Sequence, residues 1–190
     1  MANTRQSRCA RWLLAGYVAL SAATASAEEG GYRLDGGGRN MDDPRYEQIR
    51  QWEQLEQRGL ALFRKEQHAD AYEILAEPAR RGFKSAQHAL ALMHLQEQGV
   101  DRNPLIGTAL FGLAAESGDR RLQREYKQLL KSLPKKFHDL VEQQRVYYIE
   151  RYGMAAQGIV CNKVRDQGSN LRVIRCRKEQ GEYPEFAWQP

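Results

Sequence analysis

The four histidines are the side chains in this sequence best suited to metal binding or proton transfer. They are His68, His88, His94 and His138. His88 and His94 are six residues apart, which places them on different sides of one helix, because side chains on one face are three or four apart. No serine, cysteine or acid accompanies any of the four at a spacing that indicates a catalytic or metal site. We therefore interpret them as helix-packing histidines and predict no metal, no cofactor and no enzymatic activity.

Paired carboxylates and glycines are also present, but their positions argue against chemistry. Glu28-Glu29 lies in a glycine-rich stretch, residues 28–43, and Asp42-Asp43 immediately precedes Pro44. A phosphate-binding loop would need a preceding strand, a following helix and a Lys-Ser/Thr pair, which this stretch lacks. We interpret residues 28–43 as a flexible leader and Asp43 as the N-cap of the first helix.

The N-terminus has the pattern of an export signal. Arg5, Arg8 and Arg11 precede an apolar run from residue 12 to 20, and Ala25-Ser26-Ala27 resembles a signal-peptidase site. The sequence predicts cleavage after Ala27 and a periplasmic or secreted protein, with an uncleaved inner-membrane anchor as the alternative.

Two cysteines remain beyond the signal, Cys161 and Cys176. In an oxidising compartment an even pair indicates a disulfide. A zinc site would need two further ligands, and no histidine occurs from residue 139 onward. We therefore predict a Cys161–Cys176 disulfide across a turn at Gly168-Ser169, forming a hairpin or a loop.

The net positive charge of the chain is concentrated in residues 161–178, the segment that contains the two cysteines. The chain has 29 basic and 24 acidic residues, and removal of the three signal arginines leaves 26 against 24, so a nucleic-acid partner is not indicated. Residues 161–178 contain six basic residues against Asp166 alone. They could contact an anionic envelope surface, or simply keep a small element soluble, which we favour. The six are Lys163, Arg165, Arg172, Arg175, Arg177 and Lys178.

The remaining sequence, residues 44–152, is predicted to be a set of helices that positions these groups. Lys84–Gly118 reads as a helix, a short turn at Gln98-Gly99 and a second helix restarting at Asn103-Pro104. Parts of this unit recur: Ala79 and Ala115, Gly82 and Gly118, and Gln87 and Gln123 are each 36 residues apart. A fixed period of this size is typical of a stacked helical repeat.

These residues resemble the Sel1-like repeats, relatives of the tetratricopeptide repeat, over about residues 55–125. The chain departs from the family pattern at His88 and His94, which replace tyrosines, and at Ala91, Glu97, Gly107 and Leu110. The resemblance implies an α-solenoid fold in an exported bacterial protein and says little about the ligand. The matching positions are Ala86, Gln87, Leu90, Met93, Gly99, Val100, Ala114, Ala115 and Gly118.

The sequence thus predicts an all-α fold, a short superhelical stack of helix-turn-helix repeats over residues 44–152, followed by a basic tail over residues 153–190 with a disulfide hairpin or loop. The predicted order is completed by a signal peptide, 1–27, and a leader, 28–43. We expect a scaffold or interaction module of the cell envelope that binds an unknown protein or peptide in the solenoid groove. The alternative is an anionic-surface binding protein that uses the basic hairpin. The expected groove-exposed residues are Gln87, His88, Ala91 and His94.

Overall fold

The computed structural model describes residues 41–166, 168 and 170–179. The predicted signal peptide, most of the leader and residues 180–190 lie outside this part of the chain. Within it the fold is mostly helical and ends in a two-stranded antiparallel hairpin, as predicted. The helices are α1 (Pro44–Arg64), α2 (His68–Arg80), α3 (Lys84–Gln96), α4 (Pro104–Ala114), α5 (Arg120–Ser132) and α6 (His138–Tyr152), and the strands are β1 (Ile159–Arg165) and β2 (Arg172–Lys178).

Capping side chains mark the starts of helices α1, α4 and α5. The Asp43 carboxylate accepts a hydrogen bond from the backbone N–H of Arg45 (2.8 Å), directly before Pro44. Asn103 accepts from the N–H of Ile106 (3.1 Å), and Asp119 accepts from the N–H groups of Arg121 (2.7 Å) and Leu122 (3.3 Å). Each cap provides an acceptor for N–H groups that have no partner within the helix.

Small residues let neighbouring helices approach closely. A Cβ placed on Gly59 of α1 would lie 2.6 Å from Leu75 Cγ in α2, and one on Gly107 of α4 would lie 2.8 Å from Leu95 Cγ in α3. The core is built from alanine, leucine, methionine and phenylalanine on these faces, with Ala86, Leu90 and Phe111 almost fully buried. Close backbones with large side chains between them bury apolar surface efficiently.

The last helix departs from a simple succession of helix pairs. Helix α3 packs against α1, α2 and α4, whereas α6 packs principally against α4 and makes a smaller contact with α2. A 3₁₀ turn, Lys135–Phe137, separates α5 from α6. As a result α4 is enclosed by α3, α5 and α6, and the face between α3 and α5 is left open.

The hairpin is held together by strand pairing and by a disulfide, both of which the sequence predicted. Strands β1 and β2 pair in a register that places Cys161 opposite Cys176, and the two residues form the predicted disulfide. The N–H of Asp166 donates to the carbonyl of Leu171 (2.9 Å), which closes the turn. In the described residues no helix is long and apolar enough to cross a membrane.

Candidate binding groove

The four residues predicted to face a groove are separated by the fold. Gln87 and Ala91 have no exposed surface, and His94 is 7% exposed. The expectation that they are exposed is therefore wrong for these three. Helix α3 packs against α1, α2 and α4. Of the four residues predicted to face the groove, His88 alone is not buried, and it is half-buried.

Gln87 connects three helix ends within the core through its side-chain hydrogen bonds. Its side-chain amide donates to the backbone carbonyls of Ala79 (2.8 Å) and Tyr152 (2.9 Å), and its oxygen accepts from Lys84 Nζ (3.1 Å). One side chain thus joins the end of α2, the start of α3 and the end of α6. Buried carbonyls need such partners, which explains a glutamine at a fully buried position.

His94 also belongs to the interior. Its Nε2 lies 3.2 Å from the Tyr72 hydroxyl, and the two rings meet edge to face with centroids 5.6 Å apart. Burial lowers the pKa of His94, so the neutral form is favoured at pH 7. The residue therefore joins α3 to α2.

An open groove lies between α3 and α5, with α4 as its floor. Its larger, apolar end has a volume of about 940 Å³. Leu92 and Leu95 of α3 form one wall, Leu129 of α5 forms the other, and Thr108 and Phe111 form the floor. The rim is polar, with Gln96, Arg102, Asn103, Glu125, Gln128 and Ser132.

A second cavity of about 490 Å³ continues along the same two helices. It is lined by Ser85 and His88 of α3 and by Arg121 of α5, one turn before the residues of the apolar end. The ring of His88, which lines the second cavity, meets that of Phe111, which lines the first, edge to face with centroids 4.9 Å apart. We therefore treat them as the polar end and the apolar end of one α3–α5 groove.

Charged side chains at the polar end are held by the fold. Lys84 Nζ donates to Glu116 Oε2 (2.8 Å) and to the carbonyl of Leu113 (3.2 Å), and Glu116 also accepts from the N–H of Met154 (2.9 Å). Glu56 of α1 accepts from the N–H of Ala86 (3.3 Å) at the start of α3, and burial raises its pKa to about 7. These groups stabilise helix ends, and two of them, Lys84 and Glu56, also line the cavity.

The hairpin forms one wall of the polar end and is anchored there by Lys178. This side chain is 1% exposed, unlike the other five basic residues of the segment. Its Nζ donates to the carbonyls of Gln157 and Arg81, at 2.5 and 3.1 Å, and lies 5.6 Å from the centre of the Trp52 ring. Burial lowers its pKa to about 7. The interpretation of Lys178 as part of an exposed basic surface is therefore wrong.

The other five basic residues are where the sequence placed them. Lys163, Arg165, Arg172, Arg175 and Arg177 are exposed on the hairpin. Arg175 pairs with Asp166 (3.2 Å) and Arg177 with Glu179 (3.6 Å). In the described residues no group of three His, Cys, Asp or Glu side chains is placed to hold a metal ion.

Sequence reasoning identified His88 but missed the apolar wall of the groove. The missed residues were available as a pattern, since His88, Leu92 and Leu95 are four and three apart, and so are Glu125, Leu129 and Ser132. Each of these two patterns is equally typical of a helix face that packs into the core. Only the packing of α6 on α4 shows that they do not meet each other. The residues missed at the apolar end are Leu92, Leu95, Pro104, Leu105, Thr108, Phe111, Leu129, Leu133, Pro134 and Phe137.

The chain matches no protein-family model, and no curated protein or solved structure is significantly similar to it.

Proposed function

We propose that this protein is a non-enzymatic interaction module of the bacterial cell envelope, and that its α3–α5 groove binds an apolar segment of a protein or peptide. The observation that carries the proposal is the apolar end of the groove, about 940 Å³ and lined by leucines of α3, α4 and α5. Apolar clefts of this size with a polar rim are typical of binding sites.

The shape of the groove favours a chain segment as its occupant. From Ser85 to Gln96 the groove follows 12 residues of α3, which span roughly 16 Å at a rise of 1.5 Å per residue. That length suits about three turns of an amphipathic helix, whose apolar side chains would enter between Leu92 and Leu129. The polar end would then contact hydrophilic groups of the same segment through His88 and Arg121.

We further propose that the helix pairs form a short Sel1-like superhelical stack. Two observations support it. Gly82 and Gly118, which are 36 residues apart, both have left-handed backbones with φ of 87° and 82°. Leu75 and Phe111, at the same offset, are both buried. Export to the periplasm is proposed from the residues of the N-terminal segment, and the Cys161–Cys176 disulfide is compatible with it.

Selection from a peptide library displayed on phage tests the groove. We expect the recovered peptides to share apolar residues at helical spacing, and we expect Leu129→Glu to weaken their binding at least tenfold, because a carboxylate would lie in the apolar end. Leu140→Glu is the matched control, since Leu140 is 47% exposed on α6 and outside the groove.

A second variant separates blocked binding from damage to the fold. Gln128 is exposed at the groove edge, so Gln128→Trp should obstruct the groove while the circular dichroism spectrum and melting temperature stay unchanged. Selected peptides that bind both variants as tightly as the parent chain would overturn the proposal.

A further inference from the structure

The hairpin is buried at its base and exposed beside its turn. At its base Ile159 is 5% exposed and Lys178 is 1% exposed. At the turn Leu171 is 70% exposed, the most exposed large apolar side chain among the described residues. The hairpin therefore packs against the helices at its base and presents an exposed leucine beside its turn.

Three cations share one face of the hairpin beside this leucine. Side chains on a strand alternate between faces, and Arg165 is opposite Arg172 in the register, so Lys163, Arg165 and Arg172 lie on the same face at the tip. No described acidic residue forms an ion pair with any of the three. Arg175 and Arg177, on the opposite face, each have an acidic partner.

We propose that this tip, Leu171 with Lys163, Arg165 and Arg172, is a contact site for anionic phospholipid surfaces. An exposed leucine can enter the headgroup boundary while the neighbouring cations reach lipid phosphates. Each cation near such a surface strengthens binding by a factor of about five. A nucleic acid would use the cations but gain little from the leucine, and the chain beyond the predicted signal is nearly charge-balanced.

The disulfide makes the tip suitable for this contact. Cys161 and Cys176 lie opposite each other between the buried base and the charged tip. A two-stranded hairpin alone is marginally stable in water, and the cross-link restricts the unfolded chain. The cross-link therefore holds β1 and β2 together between the base and the tip residues. This inference is independent of the α3–α5 groove, because none of the four tip residues lines it.

Co-sedimentation with lipid vesicles tests the proposal. The full chain, as processed by its expression host, is mixed with vesicles of phosphatidylcholine alone or with added phosphatidylglycerol. We expect binding to require phosphatidylglycerol and to weaken with salt. The triple variant Lys163→Gln, Arg165→Gln, Arg172→Gln should lower the partition coefficient by about two orders of magnitude. Leu171→Ser should lower it severalfold, including at high salt.

A charge-matched variant shows whether position matters. Arg120, Arg124 and Lys127 are exposed on α5, so changing all three to Gln removes the same net charge. We expect this α5 variant to bind phosphatidylglycerol vesicles much more tightly than the triple variant of the hairpin. Equal losses from both, or no binding to phosphatidylglycerol vesicles, would overturn it. Duplex DNA serves as the second probe, and DNA binding as tight as vesicle binding, with no effect of Leu171→Ser on either, would also overturn it.

Discussion

Two titratable side chains, half-buried Glu56 and buried Lys178, give the molecule an unusual dependence on pH. Glu56 has a pKa raised to about 7 by burial, and Lys178 has a pKa lowered to about 7, also by burial. Each is partly neutral at pH 7 in the folded state but fully charged when unfolded. Glu56 opposes folding fully above its folded pKa and Lys178 fully below its own, so their combined cost to stability is greatest near neutral pH.

The sign differs on the two sides of neutrality. From pH 4.5 to about 7 folded Glu56 holds a proton that the unfolded chain has lost, so the free energy of unfolding should fall as pH rises. From about 7 to 10.5 the unfolded chain holds the Lys178 proton that the folded state has lost, so the free energy should rise again. Urea titrations across this range should show Glu56→Gln reducing the first slope and Lys178→Met reducing the second, to which Lys84 also contributes because burial lowers its pKa too. Unchanged slopes in both variants would contradict this assignment.

Gln87 is a second residue with a defined effect on stability. Gln87→Ala leaves the buried carbonyls of Ala79 and Tyr152 without these donors and should lower the free energy of unfolding by about 2–4 kcal/mol. Gln123 is the control, because it occupies the position 36 residues later and is exposed. Gln123→Ala should change stability by less than about 0.5 kcal/mol. If chemical denaturation gave the same loss of stability for Gln87→Ala and Gln123→Ala, the buried hydrogen bonds of Gln87 would not be the source of its effect.

At the scale of elements, the contact between α1 and α2 depends on Gly59. Gly59→Ala should improve the intrinsic helix propensity of α1 by about 1 kcal/mol. Its Cβ would nevertheless lie 2.6 Å from Leu75 Cγ, and we expect a net loss of roughly 1–3 kcal/mol in thermal or chemical denaturation. Arg58→Ala, on the exposed side of the same helix, should be nearly neutral. A stabilised Gly59→Ala variant would mean that the two helices separate easily.

The hairpin is the element whose stability should depend on redox state. Replacing Cys161 and Cys176 with serine removes a cross-link between residues 15 apart, worth roughly 3 kcal/mol. Hydrogen exchange should then become faster at the amides of β1 and β2 and stay unchanged in α3 and α4, because the helical core does not depend on the cross-link. Equal acceleration in α3 and α4 would contradict a hairpin that opens on its own.

Elements were more predictable than their surfaces. Capping residues, the Gln98-Gly99 turn and the cysteine spacing are local signals, so the starts of α1, α4 and α5, the α3–α4 unit and the disulfide hairpin could be predicted from the sequence. The burial of Gln87 and Lys178 could not, because both satisfy carbonyls of residues 65 and 97 positions away in the chain. Polar residues that serve such distant partners look like surface residues in a sequence.

For the whole molecule, the arrangement of α6 decides where binding can occur. Because α6 packs on α4, α5 does not close over α3, and a leucine-lined groove stays open between α3 and α5. The groove and the hairpin tip would give the molecule two separate contacts, one for a protein segment and one for an anionic surface. A protein held at a membrane by the hairpin could then present its groove to partners in the same compartment.

Photocrosslinking in the cell envelope tests the groove most directly. A benzoylphenylalanine at Gln96 or Gln128, on opposite edges of the apolar end, is compared with one at Gln143, an exposed position on α6. We expect both groove positions to crosslink to the same partner protein, Leu129→Glu to abolish those crosslinks, and Gln143 to give none. Crosslinks to that partner from Gln143 but from neither groove position would contradict it.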